Sequence, residues 1–333
     1  METSKQQLQR RRPWALLICL LLLAPLLAAC AAPQEQPLKV VATLAPLADW
    51  ARQIGGDRVQ VTQIVPAGTN PVTYTLSDRD RQAIAEADVL IFNGYNLEPW
   101  LDEISQQSAS PSLVTLDLSQ YLGTRDPGTR TVVRTPLEGE GPLKTETQPV
   151  YFPPNIVSPY IWLDPGPNMA QRATILIADT FARADTDGLM VYRHNAERYN
   201  GELENLDNWI KRQIRTWPRV RVGAKNLLAM QMTDRSWHYF AQHYTINLRT
   251  VATINTFMPT IPSVTPLFVD PLLSHSEQLR VIGLRKPDGV LDPLSNESYI
   301  ALMQENVNIM TQGMQRAAKN EPKQFTFSFA DAE

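Results

Sequence analysis

Cysteine is almost missing from this chain. The 333 residues hold two, Cys19 and Cys30. Cys19 lies inside an apolar leader, so the exported protein has no pair with which to close an internal disulfide, and its stability must come from burial. Histidine is scarce as well, with four residues, His194, His238, His243 and His275. No basic block occurs and the formal net charge is −3, which excludes nucleic acid as an expected partner. No internal repeat is visible.

The one long apolar run, Trp14 to Ala29, is too short and wrongly flanked for an ordinary spanning helix. It follows Lys5 and the run Arg10, Arg11, Arg12, and this pattern is that of an export signal. The run ends in Leu27, Ala28, Ala29, Cys30, small residues before a cysteine, which suits the lipobox at which a bacterial lipoprotein is cleaved and its new terminal cysteine acylated. Cys30 is then the lipid attachment point and residues 1–29 the signal peptide. The alternative is an uncleaved anchor helix. Either reading places the remainder outside the cytoplasm, attached to the cell membrane.

Residues 30–37 are small, polar and proline-bearing, as a flexible tether requires. From Leu38 the chain alternates β-branched runs with helical patterns: Lys39 to Leu44, Pro46 to Ile54, Val59 to Val65, Ser77 to Ala87 and Val89 to Phe92. This is the βαβ rhythm of a parallel α/β sheet. A helix at Pro99 to Ser105 and a strand at Leu113 to Leu118 complete a first lobe. From Gly123 to Pro154 the apolar period stops, and the segment reads as a long surface loop.

Helical period returns near Asn168, where Ala170, Thr174, Ile177 and Phe181 share a face. It returns again where Tyr199, Leu203, Leu206, Ile210 and Ile214 do so. A second βα series follows: a strand over Val220 to Met230, a helix around Ser236 to His243, strands at Asn247 to Ile254 and Leu267 to Asp270, a helix from Ser274, a strand at Gly289 to Leu291 and a closing helix from Ser298.

Several phrases carry a resemblance. They are "VVATLAPLADWARQIGGDRVQVTQIVPAGTNP" from Val40, "AEADVLIFNGYNLEPWLDE" from Ala85, "SPYIWLDP" from Ser158, "MVYRHNAERYNGELENLDNWI" from Met190, "SWHYFAQHY" from Ser236 and "VLDPL" from Val290. In this order they resemble the zinc- and manganese-binding receptors of bacterial ABC importers. The resemblance implies two βα lobes with parallel sheets, joined by a long connecting helix, and a ligand cleft between them at the carboxyl ends of the strands. It implies an N-terminal lobe at 38–165 with the loop at 123–154, a connecting helix at 166–184 and a C-terminal lobe at 185–333. The implied partners are an ABC permease and a small ligand or metal ion, with the protein working as a monomer and carrying no catalytic chemistry.

Four side chains hold the metal in such receptors. The first, a His in "DPHxYEP", corresponds to Val72, and the second, a His in "NPHxWLDP", to Tyr160. The third, a His or Glu heading a helix, corresponds to Asp234, and the fourth, an Asp near the last strand, to Asp292. Val72 and Tyr160 are therefore expected to line the cleft at lost ligand positions, while Asp234 and Asp292 are candidate metal ligands. The histidine-rich loop of many zinc members is absent from Gly123 to Pro154. Zinc prefers nitrogen and sulfur donors, whereas two carboxylates suit a harder ion such as manganese, magnesium or calcium. The expected cargo is thus a divalent cation of the manganese or zinc class.

Structural roles compete for each residue. Asp234 stands where a helix begins and would serve as its N-cap, with Arg235 as a charge partner. Asp292 precedes a proline, where aspartate serves a turn. Tyr160 and Trp162 fit core or cleft aromatics, and His238 and His243 fit satisfied core or helix-surface histidines. Between Ile254 and Leu267 the text "NTFMPTIPSVTP" is too proline-rich for the helix that relatives place there. Two other functions stay open: a surface lipoprotein that uses the scaffold for adhesion or partner binding, and a hydrolase pairing Asp234 with His238.

Overall fold

The computed structural model describes residues 36–101, 112–122, 131–133, 145–147, 158–222, 225–232, 235–250, 265–271, 287–294 and 298–319. The chain divides into residues 1–37 and 38–333, and the strands and helices below belong to the second unit. Cys30 lies outside the described residues, as do Asp234, His275 and the proline-rich text after Ile254.

The first lobe is built from β1 (Leu38–Ala42), α1 (Ala45–Gly55), β2 (Val59–Gln63), α2 (Asp78–Ala85), β3 (Val89–Phe92) and β4 (Val114–Asp117). All its strand pairs are parallel, in the order β2-β1-β3-β4. Helix α1 carries Pro46 in its first turn, where a missing N–H costs nothing. It buries Leu47, Ala48, Trp50, Ala51 and Ile54 against the sheet. It stops at Gly56, whose φ of +55° favours glycine. Helix α2 opens with a capping box, in which the Ser77 side chain accepts from the Asp80 N–H and the Asp80 carboxylate accepts from the Ser77 N–H.

Within the stretch expected as an unpatterned loop, β5 (Thr131–Val133) pairs antiparallel with β6 (Thr145–Thr147). The reading as loop throughout is corrected. Thr131, Val132, Val133, Thr145 and Thr147 are β-branched, and three-residue strands are too short for a period to show.

Two long helices follow, α3 (Ala170–Ala184) and α4 (Leu189–Arg215). The predicted faces are the buried ones: Ala170, Thr174, Ile177 and Phe181 on α3, and Tyr199, Leu203, Leu206, Ile210 and Ile214 on α4. At 27 residues, α4 runs about 40 Å at the usual rise. The elbow between them is pinned by Asp185, whose carboxylate takes Arg58 Nε at 2.7 Å and Arg58 Nη2 at 2.9 Å.

The second series contains β7 (Val220–Val222), β8 (Lys225–Leu227), β9 (Ala229–Met232), α5 (His238–His243), β10 (Asn247–Thr250), β11 (Leu267–Val269), β12 (Gly289–Val290) and α6 (Tyr299–Lys319). The single strand expected over Val220 to Met230 is three pieces. β7 and β8 pair antiparallel, and only β9 enters the sheet. An apolar count over so short a stretch does not show where one strand ends and the next begins.

The second sheet is parallel, in the order β10-β9-β11-β12. Both sheets therefore place their second strand outside the first and then cross to the other side, a shared topology with no sequence repeat behind it. In each, the reversal between first and third strands opens a crevice at the carboxyl ends. The fold is α/β, two parallel four-stranded sheets joined through long helices.

Candidate functional site

The crevice of the first sheet lies where β1 and β3 end, and a buried carboxylate fills it. Glu98 accepts from Thr43 Oγ1 at 2.7 Å and the Asn93 N–H at 2.9 Å through one oxygen, and from the Gly94 N–H at 3.1 Å through the other. The chain reaches this geometry through three successive residues of positive φ, Gly94, Tyr95 and Asn96. Glycine is needed at the first, since a Cβ there would stand 2.3 Å from Asp117 Oδ1. Burial pushes the Glu98 carboxyl up to about 7 despite its three donors. Asn93 Nδ2 donates to the Pro159 carbonyl at 2.9 Å, tying this floor to the residue before Tyr160.

Three loops carry the remaining candidate positions. The first carries Val72. Asn70 shapes it by accepting the Val72 N–H at 3.0 Å on its side chain, which leaves Val72 48% exposed. The second runs from Ser158 to Asp164; there Tyr160 is half-buried and meets Trp162 edge to face with ring centroids 5.2 Å apart. The third is Asp292 to Leu294 in the second lobe. Asp292 Oδ1 accepts from the Leu294 N–H at 2.8 Å, so the carboxylate serves the turn expected before Pro293.

The loops touch one another. Trp162 Nε1 donates to the Pro293 carbonyl at 2.7 Å, and the Gly68 N–H donates to the Leu294 carbonyl at 3.3 Å. Ser158 Oγ donates to the Ser236 carbonyl at 3.1 Å, two residues after Asp234. The loops bearing Val72, Tyr160 and Asp292 thus meet at one place, with the segment following Asp234 fastened beside them. Among the described residues, no three His, Cys, Asp or Glu side chains gather as a group able to hold a metal ion. Asp234 lies outside that set, so the pair of carboxylates expected from sequence is seen in one member only.

At the end of the second loop, His243 has both ring nitrogens on carboxylates: Nδ1 is 3.1 Å from Asp164 Oδ1 and Nε2 is 3.1 Å from Asp207 Oδ1. The expectation of a satisfied core histidine holds for it. Burial and Arg235 push the His238 imidazole down. Sequence reasoning passed over Glu98, Asp164 and Asp207. Asp207 left a signal: it adjoins Leu206 within one turn of Leu203 and Ile210 on the apolar face of α4, where a charge must be paired.

The sequence profile of the zinc-uptake complex component A family, periplasmic, matches residues 40–313. The chain belongs to this family. Members of the zinc-uptake component A family are substrate-binding components of metal importers and not enzymes. Among curated relatives, the manganese-binding lipoprotein MntA of Halalkalibacterium halodurans is 25% identical over 299 residues, covering 83% of this chain and 88% of its own. The manganese ABC transporter substrate-binding lipoprotein PsaA of Streptococcus pneumoniae is 26% identical over 251 residues, covering 72% of each. Among solved structures, ZnuA superposes with a TM-score of 0.61 at 20% identity, over 84% of this chain and 100% of its own. The periplasmic zinc-binding protein TroA from Treponema pallidum does so with 0.60 at 16% identity, over 84% and 99%. These two establish the fold.

Proposed function

We propose that this chain is the extracytoplasmic receptor of a metal importer, held to the membrane by acylation of Cys30. It captures a divalent cation in the cleft between its lobes and delivers it to an ABC permease. The convergence of the loops carrying Val72, Tyr160 and Asp292 is the observation that supports this reading. In it, Asp234 and Asp292 are the ligands, and Val72 and Tyr160 stand where related receptors carry imidazoles. Two carboxylates with water or carbonyl oxygens favour a hard ion, so manganese is the preferred cargo over zinc. The curated relatives named for manganese agree with that preference.

Metal analysis of protein purified without chelators tests it, with Asp234→Ala and Asp292→Ala beside the wild type. Manganese should accompany the wild type and fall in both variants. Equal metal content in all three would remove the two-carboxylate site. A hundredfold excess of manganese over its Kd should also stabilise the wild type by about 2.7 kcal/mol.

The exposure of Val72 favours a second reading, in which the scaffold presents its cleft mouth to a macromolecular partner in adhesion. No stabilisation by any divalent cation would turn the choice toward it.

A further inference from the structure

Three side chains distant in sequence meet at the end of the Tyr160 segment, and between two carboxylates their geometry favours one charge state. A neutral imidazole offers one N–H and one lone pair. Were His243 neutral, one of its two 3.1 Å contacts would set a lone pair against a carboxylate oxygen of Asp164 or Asp207. Only an imidazolium donates to both.

The surroundings fit a cation. Asp207 Oδ2 also takes Lys211 Nζ at 2.6 Å and its Oδ1 takes the Tyr244 hydroxyl at 2.8 Å, while Asp164 Oδ1 accepts the Gly166 N–H at 2.8 Å. Two carboxylates thus face two cations. The phenols nearby, Tyr244 and Tyr299, are pushed far above their ordinary range, by burial first and then by Asp207 or Asp164, and add no charge. Room for the ring is made by Gly166, where a Cβ would stand 2.3 Å from His243 Cε1.

The elements joined include the segment that bears Tyr160. Asp164 closes the segment bearing Tyr160, Asp207 stands on α4, and His243 ends the helix that follows Asp234. We infer that His243 is a positioning residue, an imidazolium clamp that holds α5 to the Tyr160 segment and to α4 and that releases as pH rises. Its bearing on cation capture rests on the receptor reading; the clamp does not.

Hydrogen bonding to Asp164 outweighs burial and, with the carboxylate charges, raises the His243 pKa. A raised histidine contributes stability that is complete below its unfolded value and is lost as pH climbs through the folded one. Asp207, lowered by Lys211, Tyr244 and His243 against its burial, sets the opposite limit and fails as pH falls.

The test uses the full chain with both histidine ring nitrogens labelled for NMR. At about pH 7.5, above the ordinary histidine value, His243 should show two protonated nitrogens and His238 should not. One bare nitrogen on His243 overturns the clamp. Amide exchange across 238–244 should be about tenfold faster in His243→Gln, the population change expected from losing one charge-assisted hydrogen bond. After correction for the intrinsic pH dependence of exchange, wild type should approach that variant as pH rises, while His243→Arg stays slow. Equal exchange in wild type and His243→Gln, or an Arg variant that loosens in step with wild type, overturns it.

In manganese titrations His243→Gln should bind roughly tenfold more weakly and His243→Arg should recover. Unchanged affinity refutes the positioning role. Wild type that takes up no manganese refutes the receptor reading, and the NMR and exchange results then decide the clamp by themselves.

Discussion

At the scale of single residues, the best-defined electrostatic contact is Arg58 on Asp185. The guanidinium meets both carboxylate oxygens, Tyr192 donates its hydroxyl at 2.6 Å, and the Gly188 N–H adds a bond at 3.1 Å. Arg58 first, against desolvation, and then these donors hold the Asp185 carboxyl down to about 2. A lowered carboxylate contributes stability that is complete above its unfolded value and is lost as pH falls through the folded one. With the pair partly open to solvent, Arg58→Met should cost about 1–2 kcal/mol near neutrality. The loss should shrink as pH drops toward about 2. Urea unfolding at several pH values checks this, and a cost independent of pH would mean that Arg58 acts through packing alone. The pair spans 127 positions, so no local pattern announces it. Separation in sequence likewise hid Asp164 and Asp207 from His243, whereas Val72, Tyr160 and Asp292 each sit in a short local phrase.

At the scale of elements, helix ends show how the halves are joined. The N-terminus of α6 needs acceptors for its first N–H groups, and one comes from the other lobe. Asp49 on α1 accepts the Tyr299 N–H at 2.8 Å and the Tyr199 hydroxyl at 3.3 Å. Burial and this carboxylate raise the Tyr199 phenol far above its ordinary range. Removing Asp49 leaves two buried donors without that acceptor and a helix dipole without its anion. Asp49→Ala should therefore cost roughly 2–4 kcal/mol, well above Glu204→Ala on the exposed face of α4. Equal midpoints in denaturant for the two variants would show that water replaces the carboxylate.

The long helices were legible because their stripes at 3.6-residue spacing persist over several turns, as Tyr199, Leu203, Leu206, Ile210 and Ile214 do. The β5–β6 ribbon and the β7–β8 hairpin were not. Each strand is three residues long, shorter than the window in which alternation can be told from chance.

At the scale of the molecule, the two sheets do not keep separate interiors. The apolar core continues from Val40 and Trp50 in the first lobe through Ile177 and Tyr199 on the joining helices to Phe268 and Met310 in the second. Polar ties run the same way, since Trp162 donates to Pro293 and Tyr299 donates its hydroxyl to the Trp162 carbonyl at 2.6 Å. Separating the lobes would expose apolar surface at about 25 cal/mol per Å² and leave buried donors unmet. Large hinge opening is thus costlier than local movement of the loops bearing Val72, Tyr160 and Asp292. Calorimetry should accordingly show one transition, with calorimetric and van't Hoff enthalpies equal. Trp162→Phe should lower that transition by a few degrees, the shift that a hydrogen bond of about 1 kcal/mol produces in a chain of this size, without dividing it. Two resolved transitions in the wild type would mean that each sheet carries its own core.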